Sequence, residues 1–165
     1  MFYRRNWIAV IAVILGLIMF MPVAQAQRQD FETIQCNVAT VNYVHISPDL
    51  AITSRDMHGI VQSTHESKLF YNWSRLGVMV YKRIDRNVSW NGFIKTMAPD
   101  GEFIIWEFSG DSQQGGSTGK AVYGTGKWKG VKGEYKTKSL TSGKPIVPNI
   151  QPFCEKAVGW IELPK

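Results

Sequence analysis

The sequence predicts an all-β protein, a single antiparallel β-barrel of about eight strands. Three observations lead there. Few segments repeat apolar residues at helical spacing, whereas alternating, β-branched and aromatic runs recur along the chain. Turn formers separate these runs at Ser47-Pro48-Asp49, Pro99-Asp100-Gly101, Gly110 to Gly119 and Gly143 to Pro152. No internal repeat or second-domain boundary interrupts them. Seven or eight antiparallel strands in one domain form a barrel or a sandwich, and the barrel is the expectation.

The first element is not a strand. Residues 1–26 open on Arg4 and Arg5, run apolar from Ile8 to Met21 and close on Ala24-Gln25-Ala26. A basic start, one apolar stretch and a small-x-small ending compose a secretory signal peptide. The apolar stretch is short against the ~20 residues of a membrane-spanning helix, although an uncleaved anchor is the alternative. Cleavage after Ala26 leaves residues 27–165 as a single barrel domain in the periplasm or outside the cell, with no stable membrane insertion. Of the 19 basic side chains, 17 then face 13 acidic ones, a mild excess that bears on solubility more than on function.

Candidate strands follow at Ile34 to Ile46, Met57 to Thr64, Lys68 to Ile84, Val88 to Met97, Glu102 to Ser109, Lys120 to Tyr123, Glu134 to Leu140 and Ala157 to Leu163. Cys36 and Cys154 lie near the two ends of the mature chain, and a barrel makes those ends neighbours. In an oxidising compartment the pair predicts one disulfide, with two separate buried thiols as the alternative.

In the stretch from Gly92 to Phe108, Pro99-Asp100-Gly101 suits a type I turn ending in a left-handed glycine. A three-residue loop pairs Ala98 with Glu102, Thr96 with Ile104 and Ile94 with Trp106. Trp90, Ile94, Thr96, Ile104, Trp106 and Phe108 then share one face, a core or a cavity wall. Lys95 and Glu107 fall on the other as an exposed ion pair. A four-residue loop would instead turn Glu107 inward, where burial would raise its pKa and suit it to acid–base work. On the preceding strand Tyr71, Trp73 and Arg75 oppose Leu76, Val78 and Val80. The aliphatic row is the expected core and the Tyr-Trp-Arg row an exterior contact patch, unless a bulge at Gly77 reverses them.

The stretch Tyr123 to Lys138 collects glycines and lysines around Trp128. Gly119 and Gly124 have the separation of a phosphate loop, but Thr125-Gly126 stand where Lys-Ser/Thr is required. Gly124, Gly126 and Gly130 miss the dinucleotide fingerprint by one residue. The lysines interleave with Tyr123, Trp128 and Tyr135, a composition found in single-strand binders. An exported chain meets no nucleic acid, however, and lysines also protect exposed strands from edge pairing. The stretch reads best as a glycine-hinged turn with Trp128 as an inward plug and lysines in water.

Gly124-Thr-Gly126-Lys-Trp128-Lys-Gly130-Val131-Lys-Gly133 resembles the Gly-Ser/Thr-Gly-x-aromatic-x-Gly-Val-x-Gly segment of allene oxide cyclase-like barrels. The Pro99-Asp100-Gly101 hairpin and its aromatic strand are similar to small exported bacterial proteins of that calycin-like type. The resemblance covers residues 91 to 136 and implies the barrel fold. The plant cyclases use a glutamate on the first strand, and this sequence has no carboxylate between Glu32 and Asp49.

No metal site is expected, since two cysteines cannot supply four ligands and the histidines show no ligand spacing. No cofactor motif is present either. Gly-x-Ser-x-Gly and His-Glu-x-x-His are both absent. The leading expectation is an exported barrel binding a small apolar ligand through Trp90, Ile94, Ile104, Trp106, Phe108 and Trp128. The same side chains would equally fill a solid core. The competing functions are an isomerase or cyclase using Glu107, His45 or Tyr43, and a non-enzymatic envelope or assembly protein with a filled barrel. The sequence names no protein partner.

Overall fold

A computed structural model describes residues 27–163 apart from positions 48 and 146, together with all their side chains except that of His45. The leader expected at 1–26 lies outside these residues. The strands are β1 (Arg28–Ser47), β2 (Leu50–Ser63), β3 (Trp73–Ile84), β4 (Asn87–Met97), β5 (Phe103–Asp111), β6 (Gly116–Gly124), β7 (Lys132–Ser142) and β8 (Ile150–Glu162). They pair in sequence order, all antiparallel, and β8 returns to β1 to close the barrel. Closure removes the sheet edge that would otherwise template aggregation.

The β4–β5 hairpin has the three-residue turn. Ala98 N–H donates to the Glu102 carbonyl at 2.8 Å, and Thr96, Ile94 and Gly92 pair with Ile104, Trp106 and Phe108. Gly101 takes φ +88°, the left-handed conformation expected of it. Glu107 therefore points outward and pairs with Lys120 at 3.1 Å. Lys95, expected to pair with Glu107, instead lies 4.2 Å from the centre of the Phe103 ring.

Three expectations need correction. First, β3 presents Trp73 and Arg75 to the interior, 6% and 5% exposed, while Leu76, Val78 and Val80 are 48%, 54% and 46% exposed. No bulge at Gly77 causes this, because β3 pairs in continuous register with β2 and β4. The interior offers Trp73 an aromatic cluster and Arg75 a carboxylate, which outweighs burial of the aliphatic row. The exterior patch of Tyr71, Trp73 and Arg75 does not exist.

Second, residues 64–72 are a turn rather than the start of a strand. Lys68, Phe70 and Asn72 all take left-handed φ, and Phe70 is buried in the barrel. Third, β1, β2 and β8 begin at Arg28, Leu50 and Ile150, six or seven residues before their expected starts, and β8 carries Pro152 opposite Val38.

Inside, the barrel is layered along its axis. One end is closed by an aromatic plug in which Phe70 packs edge-on against Phe31 and Trp73, both at 4.8 Å, and Trp73 meets Trp128 at 5.2 Å. Trp128 arrives on a 3₁₀ turn (Gly126–Trp128), flanked by left-handed Gly126 and Gly130. Lys127 points to water and bridges Asp100 and Glu102. The glycine-hinged reading of this stretch therefore holds. The other end of the barrel is open.

Candidate functional site

The open end holds a cup of about 230 Å³ inside the barrel, walled by all strands except β1. Its apolar wall comes from Met79 on β3, Trp90 on β4, Phe108 on β5 and Phe153 on β8. Strand alternation places each of them inward. Trp90 fits only because Gly110 on β5 has no side chain, since a Cβ there would stand 2.6 Å from the indole. Gly119 makes the same room for Tyr135. The indole N–H of Trp90 donates to Ser117 Oγ at 2.8 Å, which holds the ring against the wall.

Below the apolar wall lies a charged layer. Arg75 donates from Nη1 to Glu155 Oε1 at 2.7 Å, with both side chains largely removed from water. Two such charges are tolerated in the interior only as a pair, because each alone would carry a large desolvation penalty. Tyr135 stands beside them, and burial pushes its phenol well above the ordinary tyrosine range. It stays neutral and can donate a hydrogen bond to an acceptor. Burial likewise raises Tyr81. Arg55 lies over the Tyr81 ring, 4.1 Å from its centre, and donates from Nη1 to Tyr81 Oη at 3.3 Å.

The layer is not fully satisfied from within. Nε of Arg75, Nε of Arg55 and Oε1 of Gln35 are all shielded from solvent and have no partner among the described residues. Arg75 and Gln35 border a small cavity of about 20 Å³ between the charged layer and the plug. That space fits about one water, which needs 2–4 polar partners. Trp128 Nε1 is a further buried donor without a partner, inside the aromatic plug.

The expected site residues divide between the two ends. Trp90 and Phe108 line the cup. Ile94, Ile104, Trp106 and Trp128 are buried in the closed end, where Trp106 donates its N–H to Thr96 Oγ1 at 2.9 Å. Of the acid–base candidates, Glu107 is on the outer wall and Tyr43 is 57% exposed on β1. His45 lies on β1 opposite Ala51, with its side chain outside the described ones. Arg55, Tyr81 and Glu155 carry no signal of a site in the sequence, Arg75 is expected there on the exterior, and Tyr135 only among the lysines of the glycine-hinged stretch. The one signal of an inward position is alternation, since Arg75 lies two residues past Trp73 and Glu155 two before Ala157.

Cys36 and Cys154 are directly opposite across the β1–β8 seam and form a disulfide, as expected. Among the described residues no cluster of three His, Cys, Asp or Glu could hold a metal ion. None of their helices is long and apolar enough to cross a membrane.

No known family model matches the sequence, and no curated protein matches it. Its fold is similar to that of two solved pterocarpan synthase dirigent proteins. GePTS1 superposes with a TM-score of 0.55 at 9% identity, covering 86% of this chain and 95% of that one. PsPTS1 gives 0.54 at 12% identity, covering 86% and 99%. At this identity the likeness establishes a shared barrel architecture.

Proposed function

We propose that this protein is an exported barrel that binds a small, largely apolar molecule in its open cup. The observation behind this reading is the cup itself. A barrel whose interior served stability alone would be packed solid along its length, as the plug end is. Here the aromatic packing stops at the charged layer, and about 230 Å³ remains above it under a wall of Met79, Trp90, Phe108 and Phe153. Concave, mostly apolar sites with a few convergent polar groups are where proteins hold small molecules. The expected leader and the Cys36–Cys154 disulfide support an oxidising compartment, periplasmic or extracellular. The dirigent proteins of like fold are named as pterocarpan synthases, which is compatible with an interior site. The allene oxide cyclase-like segment belongs to the same proposal as a second barrel relationship.

The reading places Trp90 and Phe108 in contact with the ligand and leaves Ile94, Ile104, Trp106 and Trp128 as the packed support beneath it. Its test is a blocked cup. Ser139 lines the cavity at the rim of β7, and Ser139→Trp would fill it without touching the plug. An environment-sensitive apolar dye should bind the wild type with one saturable site and lose at least tenfold in affinity on the S139W variant. Equal binding to both proteins would mean that the dye sits elsewhere and that the cup is not a site.

One observation favours a second reading, an isomerase or cyclase acting on an apolar substrate. Glu155 and neutral Tyr135 flank Arg75 at the cup floor, a carboxylate able to accept a proton beside a phenol able to hydrogen-bond a substrate oxygen. Small molecules recovered from wild type and from Glu155→Gln would separate the two. A binder releases the same compound from both, whereas an enzyme leaves a different compound, its substrate, on the variant.

A further inference from the structure

The cup's charges do not balance. Its lining holds two guanidinium groups, Arg55 and Arg75, and one carboxylate, Glu155. Glu155 is committed to Arg75 at 2.7 Å. Arg55 has no carboxylate within ion-pair distance among the described residues; its contacts there are the face and hydroxyl of Tyr81. A guanidinium offers five N–H donors, and Arg55 spends one of them on Tyr81 Oη. Its Nε–H is shielded from water and unpartnered, and so is that of Arg75. A cation partly desolvated without a counter-charge is costly unless an anion completes it. The planar fork of arginine matches a carboxylate with two parallel hydrogen bonds.

We infer that the ligand of the cup is a compact aromatic acid, bound as the monoanion with its carboxylate on the Arg55 side of the charged layer and its ring against Trp90 and Phe153. This rests on the cup being a ligand site and adds the charge and size of what enters it. One negative charge on the ligand brings the lining to neutrality. The size follows from the volume, since about 230 Å³ is below the ~300–1,000 Å³ of sites for drug-sized ligands. A dianion would exceed the balance. A cation would face Arg55 directly, with the one carboxylate already paired.

Isosteric probes that differ only in charge test this, with the indole N–H of Trp90 as a reporter inside the cup. Benzoate, benzamide and benzamidinium, and the corresponding naphthalene series, would be titrated into ¹⁵N-labelled protein and followed at that resonance. The acids should bind at least tenfold tighter than the amides, and the amidinium ions weakest. Arg55→Gln should narrow the acid–amide gap to under threefold, and Arg55→Lys, which keeps the charge, should retain part of it. If amides or amidinium ions shift Trp90 as strongly as the acids do, the charge assignment is wrong and the cup remains a site. If no probe of either ring size moves Trp90, both the assignment and the cup reading fall.

Discussion

Arg75 illustrates how the interior is held together at the level of single residues. Its side chain is 3% exposed and that of its partner Glu155 is 16% exposed, so their ion pair is largely hidden from solvent screening. Arg75→Met should destabilise the fold by about 3–5 kcal/mol, because Glu155 would remain buried without its cation. The double variant with Glu155→Leu should recover much of that loss, read as the midpoint of urea unfolding. Tyr135 supplies a pH signature. Its phenol is neutral in both states below the unfolded value of ~10, so its full contribution is present there. Above ~10 the unfolded chain ionises while burial holds the folded phenol protonated, so stability falls as pH rises. The wild type should therefore lose about 1.4 kcal/mol per pH unit through this group, and Tyr135→Phe should flatten that slope. Tyr81, raised for the same reason, acts in the same direction.

At the level of elements, the plug turn and the barrel seam bear most on stability. Phe70 sits in left-handed φ and is buried among Phe31, Trp73, Trp106 and Trp128. Phe70→Ala should cost about 3–5 kcal/mol, measured by chemical denaturation, while leaving the cup at the far end intact. The seam disulfide spans 118 residues. Replacing both cysteines by serine should cost about 2–5 kcal/mol without opening the barrel, since β1 and β8 pair continuously on both sides of it.

The elements also show where the chain could be read in advance. The β4–β5 hairpin was legible because Pro99-Asp100-Gly101 admits few turn geometries, and the turn fixes every pair beyond it. The orientation of β3 was not, because both of its faces are apolar enough to be core. Only the partners waiting across the barrel decide between them. The first half of β8 was hidden by Pro152, which demotes a strand in any local reading. The charged layer was least accessible of all. Arg75 and Glu155 are 80 residues apart, and nothing near either one announces the other before the barrel closes.

Over the whole molecule, the barrel is solid at one end and hollow at the other, with an ionised layer between. That division follows from where the aromatic side chains and the inward glycines fall along the strands. Phe70, Trp73, Trp106 and Trp128 gather at one end, while Gly110 and Gly119 let the Trp90 and Tyr135 rings lie back against the barrel wall. On the proposed reading the hollow end is occupied in life. A native mass spectrum of the protein, taken without denaturation from its native host, tests this most directly. A bound small molecule at one per chain is expected, lost from the Ser139→Trp variant. A spectrum of the bare chain alone, under conditions that preserve a weakly held control ligand, would contradict the reading.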